Sequence, residues 1–74
     1  MAQEIPIATK ILRRPRVEDR TGLSRSTIYA KICANEFPKP VRLGRRAVGW
    51  LESEIDAWVL AQIRQSRQNN ARRP

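Results

Sequence analysis

Two groups of side chains in this 74-residue chain have types and spacing suited to recognising a partner. The first is Ser24-Arg25-Ser26-Thr27, continued by Tyr29 and Lys31. The second is Lys39, Arg42, Arg45 and Arg46, four cations close together in the chain. A guanidinium is a planar fork of donors that matches paired acceptors such as phosphate oxygens or the O6 and N7 atoms of a guanine. Hydroxyls donate to phosphates, and a phenol contacts a phosphate or packs on a sugar. Covalent chemistry has no such support. The chain has no histidine, no acid pair set in a basic pocket and no glycine-rich phosphate cradle, so it reads as a non-enzyme without cofactor. One cysteine, Cys33, rules out an internal disulfide, and the absence of histidine rules out a Cys/His zinc site. Cys33 itself reads as a small, semi-buried apolar residue.

The charge is large and segregated. Fifteen Lys and Arg against seven Asp and Glu give +8, with a pI of 11.3. Residues 10–46 carry eleven of the basic groups and three acidic ones, whereas residues 47–63 hold Glu52, Glu54 and Asp56 and no cation. Arg64, Arg67, Arg72 and Arg73 form a second basic patch. Solubility needs no such separation; a polyanionic partner does. No apolar run approaches a membrane span, and Met1-Ala2-Gln3-Glu4 does not open a secretory signal, so a reducing cytoplasmic setting is expected.

These groups need elements to hold them. Residues 1–9 are expected to be a flexible N-terminus, residues 10–66 one domain and residues 67–74 a disordered basic tail. Lys10–Arg13 reads as a short strand or an apolar lead-in. Pro15 suits a first helical turn, with Glu18 and Asp19 near it, so a helix is predicted over Pro15–Thr21 with Val17 facing in. Gly22 ends it in the left-handed conformation and Leu23 anchors the turn. Ser24 caps a second helix, to about Asn35, whose buried stripe is Ile28 and Ile32. Pro38 and Pro40 force an extended chain. Val41-Arg42-Leu43, a turn at Gly44-Arg45-Arg46 and Ala47-Val48-Gly49-Trp50 read as a hairpin. A lone hairpin is marginal, so Val41, Leu43, Val48 and Trp50 are expected to pack on the helices. A last helix starts near Leu51 or Glu52, with Leu51, Ile55, Trp58, Val59, Gln62 and Ile63 as its stripe. Both tryptophans are expected in the core.

A helix, a glycine turn and a second amphipathic helix make a helix-turn-helix, whose second helix enters the DNA major groove. Arg25 is then the candidate for guanine readout. A basic hairpin beside that helix reaches phosphates or the adjacent minor groove. If about six to eight of the cations contact phosphates, the log–log salt slope of binding is on the order of −5 to −7. A single-stranded RNA binder is a poorer fit, because only four aromatic residues are present and the tryptophans belong to the core.

Three blocks sharpen this. They are Arg20-Thr21-Gly22-Leu23-Ser24-Arg25-Ser26-Thr27-Ile28-Tyr29, then Phe37-Pro38-Lys39-Pro40-Val41, then Gly49-Trp50-Leu51-Glu52-Ser53-Glu54-Ile55-Asp56-Ala57-Trp58. In that order the chain from Val17 to Trp58 resembles the AlpA family of prophage regulators. The resemblance implies an α+β, mainly α fold: a winged helix-turn-helix of three helices and a two-stranded wing, similar to MerR-type domains and phage excisionases. It departs at Leu51, where related MerR-type domains place Ser or Asp. It implies a transcriptional regulator of a prophage or integrative element, or alternatively an excisionase-like factor that bends attachment-site DNA. The implied partners are double-stranded DNA, an integrase or RNA polymerase, and further copies of the chain on the DNA.

Overall fold

The computed structural model describes the backbone of residues 10–72 and the side chains of residues 10–68. The N-terminal segment 1–9, expected to be flexible, lies outside the described residues. The order is β1 (Ile11–Leu12), α1 (Arg14–Thr21), α2 (Arg25–Cys33), β2 (Val41–Arg42), β3 (Val48–Leu51) and α3 (Glu52–Arg72). This is the mainly helical α+β winged architecture expected. Its wing is larger than a hairpin, because β1 joins the far edge of β3 to give an antiparallel sheet of order β1-β3-β2. No helix among the described residues is long and apolar enough to cross a membrane.

Local chemistry sets the helix ends. Arg13 precedes α1 in an extended conformation and Pro15 occupies its first turn, where a missing N–H costs nothing. The helix starts one residue earlier than predicted, which moves Glu18 out of the first turn and into an i,i+4 pair with Arg14 at 2.9 Å. Gly22 stands at φ 74° and its N–H donates to the Glu18 carbonyl at 2.7 Å. The Ser24 hydroxyl accepts from the Thr27 N–H and caps α2. At the other end Asn35 takes φ 60°, with Glu36 N–H donating to Lys31 O and Asn35 N–H to Ile32 O. That pair of bonds is a Schellman cap, and asparagine is among the few non-glycine residues that tolerate it. The N-terminus of α3 uses another chain segment: the Glu52 N–H donates to the Lys10 carbonyl at 2.9 Å, so Leu51 need not cap it.

The core is Leu12, Val17, Ile28, Phe37, Trp50 and Ile55, with Leu23, Ile32, Val48, Trp58 and Val59 packed around it. Each helix and both outer parts of the chain contribute, so no element is stable alone. Of the α3 stripe, Ile55 is fully buried, Trp58 is only partly covered rather than fully in the core, and Ile63 is exposed. The helix outlasts what it packs on. It continues through Arg72, across residues whose composition suggests a tail; residues 73–74 lie outside the described chain.

Two expected packing residues face the other way. Val41 and Leu43 are 40% and 46% exposed. The register explains it: Val41 pairs with Gly49 and Arg42 with Val48. Side chains of directly paired residues share a face, so Val41 sits on the face opposite buried Trp50, with Ile11, which pairs Leu51 across β1.

On that outer face Gly49 is a close-approach site. A Cβ there would lie 2.3 Å from Ile11 Cγ2 and 3.1 Å from both the Leu12 carbonyl oxygen and Leu43 Cδ1. Gly49→Ala is expected to destabilise the domain by about 1–3 kcal/mol through overpacking between strands. Gly44, which has no positive φ and nothing within 4 Å of a built Cβ, should accept alanine within about 0.5 kcal/mol. Urea unfolding of the two variants checks this; equal midpoints would show that the strands relax freely around residue 49.

Candidate nucleic-acid interface

The turn between α1 and α2 is fastened by side chains. The Thr21 hydroxyl donates to the Val17 carbonyl at 2.8 Å and accepts from the Leu23 N–H at 3.2 Å. With Gly22 left-handed and Ser24 capping, this fixes where α2 begins. Thr21 carries no periodic signal, and its role emerges only from the bent geometry of the turn.

Ile28 is fully buried and Ile32 partly so, which turns the opposite side of α2 outward. Arg25, Ser26, Tyr29 and Ala30 are exposed there, as is Cys33, which the sequence suggested would be semi-buried. The guanidinium carbon of Arg25 lies 6.0 Å from the centroid of the Tyr29 ring, one turn along the helix. That is the outer limit of a cation–π contact, and it lays the arginine along the exposed surface. Ser24 is exposed, but its oxygen is occupied by the cap and it donates to Thr27 Oγ1 at 3.0 Å. Thr27 and Lys31 are half-buried and line an open hollow with Ser26, Ala30 and Glu36.

The wing carries the second group. Lys39 in the linker, Arg42 on β2 and Arg45 and Arg46 in the turn are all exposed. The Leu43 N–H donates to the Ala47 carbonyl at 2.8 Å, which leaves residues 44–46 as a three-residue tip.

What relates α2 to the wing is the linker, and both tryptophans hold it. Trp58 Nε1 donates to the Glu36 carbonyl at 2.9 Å, and Trp50 Nε1 to the Pro38 carbonyl at 3.0 Å. Phe37, between those two carbonyls, is buried with its ring edge-on to Trp58 at 4.8 Å. Apolar periodicity marks the tryptophans as core residues; it does not show that their polar edges pin the backbone joining the two basic groups.

Ion pairing then sorts the charges. Arg20 donates to Glu52 Oε2 at 2.7 Å and also to Asp56 Oδ1. The Arg20 end of α1 is thereby matched by the acidic start of α3, while Arg16 forms no ion pair among the described residues. Among the described residues, Arg25, Lys31, Lys39, Arg42, Arg45 and Arg46 form no ion pair. Uncompensated cations thus include every one on α2, the linker and the wing, together with Lys10, Arg13 and Arg16 before the turn and Arg64 and Arg67 on α3.

Residues 10–63 match the family model described as Prophage CP4-57 regulatory protein (AlpA). The chain is 50% identical over 54 residues to "Uncharacterized protein ORF88" of Enterobacteria phage P4, covering 73% of this chain and 61% of that protein. It is 43% identical over 58 residues to "DNA-binding transcriptional activator AlpA" of Escherichia coli (strain K12), covering 70% of this chain and 83% of that one. The chain thus spans about three fifths of the length of the phage P4 relative.

Proposed function

Because the chain belongs to the AlpA family of prophage regulatory proteins, we propose that it is a sequence-specific double-stranded DNA-binding transcriptional regulator of a prophage or integrative element. In this reading α2 lies in the major groove. Arg25 reads a guanine edge, Ser26 and Tyr29 contact neighbouring groups, and Thr27 and Lys31 meet phosphates, while the Ser24 hydroxyl, engaged by the cap and by Thr27, holds the end of the helix in place. The wing, through Lys39, Arg42, Arg45 and Arg46, lies on phosphates or in the flanking minor groove. The observation that carries this reading is that every cation of α2, the linker and the wing is exposed or half-buried and, among the described residues, unpaired, on or beside the helix-turn-helix, while Arg20 is neutralised by Glu52 and Asp56 and Arg14 by Glu18. A cation with no protein partner keeps its full attraction for an external anion.

Arg25→Ala tests it. Binding to the selected DNA site should weaken by about 1–3 kcal/mol, with relaxed preference at one base pair and little change on random DNA. Fluorescence anisotropy on selected and scrambled duplexes gives both values. Equal loss on the two would remove Arg25 from the readout and α2 from the major groove.

A further inference from the structure

The exposed half of α3 has a self-complementary surface. Every residue from Leu60 to Gln68 is exposed. Leu60 and Ile63, 48% and 41% exposed, line an open groove of about 300 Å³ together with Arg20, Asp56 and Val59. Along one stripe the helix reads Asp56, Leu60, Ile63 and Arg67, separated by four, three and four residues. That alternation is the spacing of a helix–helix seam.

We propose that this stripe pairs two copies of the chain, α3 against α3, antiparallel and about a twofold axis between residues 61 and 62. In that register Asp56 faces Arg67 of the second copy, and Leu60 faces its Ile63. Both pairings are centred on the same point, so a single axis satisfies them together. A parallel pair would instead set Asp56 on Asp56 and Arg67 on Arg67. The groove end is prepared for the incoming cation. Glu52 and Asp56 bring two negative charges against the single guanidinium of Arg20, and Arg20 engages only Oδ1 of Asp56, which is 58% exposed. Arg67 forms no ion pair among the described residues of its own chain.

Such an interface is isologous, the commonest way for identical chains to associate. It offers two large exposed apolar side chains per copy and falls below a standard interface, so the dimer is weak in free solution. A consequence that rests on the DNA-binding reading is that the two α2 helices would address inverted half-sites.

Sedimentation equilibrium of the full chain, without DNA and over a wide concentration series, tests the pairing independently of DNA binding. The wild type should show a monomer–dimer equilibrium. Ile63→Glu should remain monomeric throughout. Arg67→Asp should raise the dimer dissociation constant about tenfold, because two attractive pairs become repulsive. The double variant Asp56→Arg with Arg67→Asp should recover wild-type association. Since Asp56 also holds Arg20, circular dichroism accompanies each variant, and Ile63→Glu and Arg67→Asp suffice if the double variant does not fold. Wild type that stays monomeric at every concentration overturns the proposal, as do Ile63→Glu and Arg67→Asp variants that dimerise normally. A mixture of wild type and Arg67→Asp that associates better than either alone would establish parallel pairing and overturn the antiparallel register.

Discussion

Trp50→Ala is expected to lower the thermal midpoint of the domain by tens of degrees, roughly 12–40 °C. Trp50 is fully buried at the centre of β3, between β1 and β2, and belongs to the cluster with Val17, Ile28 and Ile55. Truncating a buried aromatic side chain costs about 3–5 kcal/mol through forfeited transfer energy and the cavity left behind. A domain of this length has a total stability of roughly 4–11 kcal/mol, so one substitution removes much of it. The fall in the midpoint of the thermal transition, followed by far-UV circular dichroism, is the measurement. A fall of only a few degrees would mean the core closes over the gap. Trp50→Phe separates packing from positioning: it keeps an aromatic ring but gives up the bond to the Pro38 carbonyl, at about 1–3 kcal/mol. That variant should fold, yet bind DNA less well, because the linker between α2 and the wing is released at one of its two fastenings.

Replacing Arg42, Arg45 and Arg46 together by alanine is expected to weaken binding to every DNA sequence while leaving sequence preference intact. All three are exposed and, among the described residues, carry no ion pair, so their removal breaks no salt bridge within the fold. Each phosphate that is no longer neutralised makes the log–log salt slope shallower by about 0.9, hence by about 2.7 for three. Between roughly 50 and 200 mM salt the wild type should therefore weaken about forty-fold more than the variant. Anisotropy titrations at several salt concentrations read the slope directly. An unchanged slope would take the wing off the phosphates; a changed base preference would make it part of the readout.

The helix-turn-helix was legible because its determinants are local. A left-handed residue at Gly22, a hydroxyl cap at Ser24 and an Ile28–Ile32 stripe each act within a few residues, and each occurs where expected. The exposed placement of Arg25, Ser26 and Tyr29 follows from that same stripe. The wing was only half legible. Val41 and Leu43 share one alternation and Val48 and Trp50 another, and composition is silent on how the two align. The three-residue tip, closed by Leu43 on Ala47, pairs Val41 with Gly49. A register one residue different would pair Val41 with Trp50 and bury it. Since strand side chains alternate with period two, one residue of loop length decides which face the whole strand presents.

The chain by itself determined the C-terminus of α1, the N-terminus of α2, the turn between them and the uneven distribution of charge, because these depend on neighbours in sequence. Tertiary structure alone decided that β1 closes the sheet against β3, that Trp50 and Trp58 fasten the linker, and that Arg20 is neutralised by Glu52 and Asp56. Arg20 is 32 and 36 residues from its two acids, and Trp58 is 22 from the carbonyl it binds. Contacts at such separations exist only once the core has brought α1, the linker and α3 together. They set which of the cations stay free for an external anion.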